Sequence, residues 1–192
     1  MKPILFNDDM VRAIIRGEKT ATRRIIKPQP KARLVLNYES RKWKYPDQWL
    51  CDKVPKRFSL AEVPQNERGD QWTPPCIYAD LLYVREAWRR LSSGKYEYRA
   101  DFPGKSAGKW RPSIHMPKDA ARLYLHVDCV SCERLQEITE SRAYAEVGWD
   151  EREPDRLNLD RFYDQWRKCY GEESIAENPW VWVIAFHVIS KP

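Results

Sequence analysis

Trp180-Val181-Trp182-Val183-Ile184-Ala185-Phe186-His187-Val188-Ile189 runs ten residues with His187 as its one polar side chain. A strand with one wet face would alternate apolar and polar residues. This one is apolar on both faces, which predicts a place in the middle of a sheet or at the closure of a barrel. Upstream of it, Phe162, Tyr163, Trp166 and Tyr170 repeat at helical spacing within Leu159–Tyr170, and Gly171 follows as a stop. A second amphipathic helix is predicted over 136–147, carrying Ile138, Ala143, Ala145 and Val147 before Gly148. Arg122–Val130, Tyr96–Ala100 and Asp80–Trp88 read as strands.

At the other end, Ile4-Leu5-Phe6 reads as a short strand. Asn7 or Asp8 then caps a helix that buries Met10, Val11, Ile14 and Ile15, with Gly17 past its end. Lys19 to Lys27 should form a strand that stops before Pro28. From about 31 to 79 the pattern degrades into prolines and scattered aromatics, with a possible hairpin over Leu34–Tyr45, and reads as an insertion. Gly104–Pro117 should be a long exposed loop. The expected fold class is α+β, a mainly antiparallel, barrel-like sheet with flanking helices, in a single domain over 1–192.

The 192 residues carry 34 Lys and Arg against 28 Asp and Glu. Met1–Leu34 holds nine basic residues against three acidic, a local +6 equal to the surplus of the whole chain. Arg85–Arg122 is again +6, and Glu133–Glu177 is −6. Such asymmetry suits an anionic partner, nucleic acid or nucleotide first, although a solvated surface gives the same counts. Nine Trp, ten Tyr and five Phe argue against disorder, and no apolar run reaches the roughly 20 residues that span a bilayer. The N-terminus has no signal-peptide pattern, and five cysteines, an odd number, suit a reducing cytoplasm. Cys129-x-x-Cys132 has no second ligand pair at zinc spacing and reads as buried apolar thiols. His126 and His187 fall in strands and read as structural; His115 lies in a basic loop. No metal or cofactor is expected.

The chemically richest cluster is Gly17-Glu18-Lys19-Thr20-Ala21-Thr22-Arg23-Arg24. Along a strand Thr20, Thr22 and Arg24 share one face and Lys19, Ala21 and Arg23 the other. A threonine hydroxyl becomes a nucleophile only beside a base, and a lysine serves as base only where desolvation lowers its pKa. A basic surface strand would carry the same residues. In the second basic stretch Lys109, Arg111, His115 and Lys118 alternate with Trp110 and Met116. That composition grips a phosphate chain beside a stacked base, or merely pins a loop to the body.

Gly17-x-Lys19-Thr20-x-Thr22-x-Arg24 resembles the signature of ASCH domains, small PUA-like barrels. Asp80–Trp88 is similar to the family's second barrel strand, Thr139-Glu140-x-x-Ala143-x-x-Glu146 to its helix ending in glutamate, and Trp182–Phe186 to its closing strand. With Lys109–Pro117, the chain resembles the larger ASCH proteins of phages and prophages outside the insertion at about 31–79. Ala79-Asp80 departs from the family's usual Gly-Asp. The resemblance implies a PUA-like β-barrel with flanking helices and a basic pocket at its mouth for single-stranded RNA or a modified nucleoside. It also implies an alternative, an amidohydrolase deacetylating N4-acetylcytidine-like substrates, with Thr22 as nucleophile, Lys19 as base and Glu146 as acid; some relatives are linked to RNA cleavage. Candidate ligand contacts near the motif are Thr20, Arg23 and Arg24. Farther along they are Arg85, Trp88, Lys109, Trp110, Arg111 and His115. A third possibility is a phage-encoded module that captures a host protein through the insertion.

Overall fold

The computed structural model describes residues 1–29, 34–39, 54–60, 71–72, 74–104, 108–148 and 154–192. Its centre is the strand expected above. Trp180–Ile189 pairs antiparallel on one side with Tyr124–Arg134 and on the other with Ala21–Ile25. Numbered along the chain, the strands of this main sheet are β1 (Lys2–Leu5), β2 (Ala21–Ile25), β6 (Leu81–Arg85), β9 (Tyr124–Arg134) and β10 (Trp180–Ile189). Their order is β1-β6-β9-β10-β2, with β1 and β6 parallel and the other pairs antiparallel. Strands β3 (Leu34–Glu39), β4 (Val54–Leu60) and β5 (Gln71–Trp72) make a separate antiparallel sheet, and β7 (Trp88–Arg90) pairs with β8 (Tyr96–Tyr98).

Because β10 has a partner on each side, both its faces are covered. Trp182, Ile184 and Phe186 join Ile4, Phe6, Ile14, Leu125 and Val127 in the larger core cluster. Val181 and Val183 point the other way, against Leu135, Ala143, Phe162 and Trp166. The helices α2 (Glu140–Val147) and α3 (Asn158–Tyr170) lie over that second cluster, and α1 (Asp8–Ile15) and the short α4 (Glu173–Ala176) complete the set. Asn7 caps α1 by accepting from Met10 N at 2.9 Å, which satisfies one of the donors a helix start leaves open.

Several expectations change. Among the described residues no ladder joins edge strands β1 and β2, so no closed barrel is found. Instead the Arg24 guanidinium of β2 donates to Leu5 O of β1 at 2.6 Å, a side-chain tie between the edges. The hairpin over Leu34–Tyr45 is replaced by pairing of β3 with β4, and residues 40–45 lie outside the described set. The Asp80–Trp88 strand breaks at Glu86, whose carboxylate is drawn to Arg122. The 104–117 segment is not wholly an exposed loop: Met116 is fully buried and its sulfur accepts from Glu86 N. Cys129 is disulfide-bonded rather than a buried thiol, while Cys132 is free. No described helix is long and apolar enough to cross a membrane.

Candidate functional site

The handover from α1 to β2 places the motif. Gly17 takes a left-handed φ of +75°, which a side chain would resist, and turns the chain back along Ala13. Thr20 N donates to Ala145 O of α2, and its own carbonyl accepts from Phe186 N of β10. The exposed Thr20 therefore spends its backbone fixing β2 between α2 and β10, and its hydroxyl is at the surface.

Lys19, Thr22, Arg23 and Glu146 are all buried, and Lys19, Arg23 and Glu146 come together where the C-terminal end of α2 meets β2. Lys19 Nζ donates to Ala21 O at 2.7 Å and to the backbone oxygen of Glu146 at 2.6 Å; the Glu146 carboxylate is 4.0 Å away. Burial pushes the Lys19 ammonium down from 10.5 to about 8; Glu146 opposes this, and Arg24 and Arg23 add to it. A buried lysine shifted this far is partly neutral near pH 8, the state a base requires. Thr22 Oγ1, on the face of β2 toward the larger core, is buried with no hydrogen-bond partner among the described residues.

Glu146 is held tightly. Its carboxylate accepts from Arg23 N at 2.7 Å and from the Arg23 guanidinium at 2.6 Å. The other side of that guanidinium is bound by Glu133 of β9, whose second oxygen accepts from Arg142. Burial alone would lower the Arg23 pKa, but the two carboxylates raise it, so Arg23 stays charged at the centre. Glu133 and Arg142 were not singled out from sequence. A glutamate near the end of a mostly apolar strand is the signal that could have found Glu133, since a buried carboxylate needs a cation.

Beside this cluster lies a cavity of about 430 Å³, whose lining includes Phe6, Asp8, Arg24, Trp110 and Arg111. Of the motif, Arg24 alone reaches it; Lys19, Thr22, Arg23 and Glu146 do not line it. Phe6 connects the two regions, because the Lys19 ammonium and the Arg24 guanidinium stand 5.6 and 5.4 Å from its ring centroid. Trp110 is half-buried against Phe102 and takes the Arg89 guanidinium at 4.5 Å over its ring. Arg111 stands over the buried Trp88 at 5.3 Å and joins it through a backbone bridge. Trp88 is therefore a support for the wall rather than a contact surface, and its indole N–H has no partner. Arg85 donates to Ile114 O and lies over Tyr83, bracing the same loop. Lys109 and His115 are exposed and line none of this cavity. Cys169 of α3, also unflagged by the sequence, lines it and is close enough to influence Lys19. Glu146 is one of two carboxylates locked on Arg23, and it does not line the cavity.

No family model matches the chain, and no curated protein matches it. Among solved structures, the crystal structure of protein EF3133 from Enterococcus faecalis V583, of family-model DUF984, is similar over 99% of this chain and 82% of that one. The identity is 12% and the TM-score 0.42, a likeness that carries no argument on fold or function.

Proposed function

We propose that this chain is an ASCH-type, PUA-like protein that binds a nucleobase presented by single-stranded RNA or as a modified nucleoside. The observation that carries the reading is the cavity of about 430 Å³, whose lining brings Phe6 and Trp110 together with Arg24 and Arg111. A recess of that size suits a small ligand. Aromatic faces stack bases of any sequence, and guanidiniums take phosphate or base oxygens. A recess admits a base only when it is unstacked, so single strands should be preferred to duplex. The test is a fluorescence-anisotropy titration with labelled single-stranded RNA, repeated with rising salt and with free nucleosides as competitors. Affinity should fall steeply with salt, since phosphate contacts release counterions. Trp110→Ala should weaken binding about fivefold or more, given ~1–3 kcal/mol per stacked base. Negligible binding at low salt, or no effect of Trp110→Ala, refutes the reading.

A second reading, amide hydrolysis of an N4-acetylated cytidine, is favoured by one observation. The Thr22 hydroxyl, buried without a hydrogen-bond partner among the described residues, lies three positions along the chain from Lys19, whose pKa is about 8. In that reaction Thr22 Oγ attacks the acetyl carbonyl while Lys19 takes its proton; the C–N bond breaks as that proton passes, directly or through Glu146, to the leaving cytosine amine, and water then hydrolyses the acetyl-threonine ester to free acetate. Glu146, bound by Arg23, otherwise orients the cluster. Thr22 Oγ1 is shut off from solvent, which makes binding the first reading. Mass spectrometry of N4-acetylcytidine after incubation decides: acetyl loss abolished by Lys19→Met supports hydrolysis, and no acetyl loss from wild type removes it.

A further inference from the structure

His126 and His187, strand residues that the sequence reads as structural, meet at one point of the main sheet. They are register partners on β9 and β10, with ring centroids 5.0 Å apart. The register shifts next to them: Val127 pairs with Phe186 and Cys129 with Ala185. Asp128 is therefore the extra residue of a β-bulge, freed from cross-strand pairing and set beside the two rings. Its Oδ1 lies 2.9 Å from His126 Nδ1 and 2.8 Å from His187 Nδ1, and its Oδ2 lies 2.9 Å from the latter. The three ligand atoms lie within 4.8 Å of one another.

Both imidazoles thus aim the same nitrogen at one carboxylate. A neutral imidazole has a single N–H, so with the proton on Nε2 each Nδ1 would turn a lone pair toward the carboxylate lone pairs. Either both rings carry the proton on Nδ1, or a cation occupies the centre. Tetrahedral ligands about 2.0–2.1 Å from an ion stand about 3.3 Å apart, so the 2.8–2.9 Å separations here, which are also hydrogen-bond distances, need open by only about half an ångström to admit one. Two imidazole nitrogens and one carboxylate form a donor set of open zinc and non-haem iron sites. Burial is graded in the same sense. The Asp128 side chain is 8% exposed, His126 27% and His187 55%, so protein closes one side and solvent can complete the coordination.

We propose that His126, Asp128 and His187 form a binding site for one divalent transition-metal ion, with two imidazole nitrogens and a carboxylate as protein ligands. None of the three lines the cavity assigned to the nucleobase, so the proposal does not depend on that reading. The test uses the full chain, freed of metal by chelation and titrated calorimetrically with Zn²⁺, with Co²⁺ as a spectroscopic probe. Wild type should take up one equivalent. His187→Ala should weaken binding by more than about tenfold, since losing even a ligand's supporting partner costs that much. His187 is more than half exposed, so this variant keeps its fold, which circular dichroism checks; Asp128→Asn is the second variant. Three results overturn the proposal. One is no saturable zinc uptake by folded wild type, and another is equal uptake by wild type and His187→Ala. The third is a Co²⁺ spectrum with thiolate charge-transfer bands, which would put the ion on cysteine.

Discussion

Replacing Lys19 by methionine should remove a pH-dependent gain in stability that the wild-type chain shows in mild alkali. Lys19 is fully buried, and its pKa falls from 10.5 to about 8 on folding. Below pH 8 both folded and unfolded chains hold the proton, so the full penalty of burying the charge is present. Between pH 8 and 10.5 the unfolded chain still binds a proton that the folded chain has released, so stability rises with pH. Above 10.5 the gain is complete. A shift of this size corresponds to about 3 kcal/mol, of which about 2 kcal/mol is regained by pH 9.5. Cys76 and Cys132 oppose this trend. Burial pushes their thiols up to about 12, so above their ordinary 9.0 the unfolded chain loses protons that the folded chain keeps, and stability falls. They are shared by wild type and variant, so the difference between the two proteins isolates Lys19. Urea unfolding followed by tryptophan fluorescence at pH 7 and pH 9.5 gives that difference. With m about 2 kcal/mol/M, the wild-type midpoint should gain about 1 M on the variant. Lys19→Arg, which does not titrate in this range, should track the methionine variant. A flat difference, or one falling with pH, refutes a depressed Lys19.

Thr22→Val deletes a buried hydroxyl that has no partner and keeps the side-chain shape. It should be neutral or stabilising by about 1 kcal/mol in thermal unfolding, and under the hydrolytic reading it should abolish turnover. Gly148→Ala should destabilise by about 1–3 kcal/mol in the same assay. Gly148 has φ 71° and ψ −177°, a region essentially reserved for glycine, and an added Cβ would come within 2.7 Å of Glu18 Oε2.

Much of the frame was legible in residue patterns. The doubly apolar run at 180–189 announced a central strand because covering both faces of a strand requires a neighbour on each side. The Asn7 cap, the Gly17 and Gly171 stops and the aromatic stripe of α3 were readable because each obeys a local rule. The pairing partners were not. Nothing near Leu34 says that β3 joins β4 rather than folding back on itself, and nothing in β1 says that it runs parallel to β6. The site was legible as composition but not as connection. Lys19, Thr22 and Glu146 were singled out by their motif and all three are buried, yet Arg23 read as a ligand contact. Only the three-dimensional arrangement shows it buried between Glu146 and Glu133, from helix and strand more than 100 residues away. Likewise His126-x-Asp128 gives two side chains on one strand face, but the bulge that turns them toward His187 depends on β10.

The strand order has a consequence for the time at which the site exists. Among the described strands β2 pairs with β10 alone, so residues 21–25 leave the ribosome about 155 positions ahead of the strand they need. Until β10 emerges, Arg23 and Lys19 cannot be buried by it and stay in water. The motif is thus synthesised well before the strand that completes it, and the two meet through a long loop closure. A nascent or interrupted chain lacking β10 would leave β2 without its strand partner and expose Lys19 and Arg23 as a free basic segment.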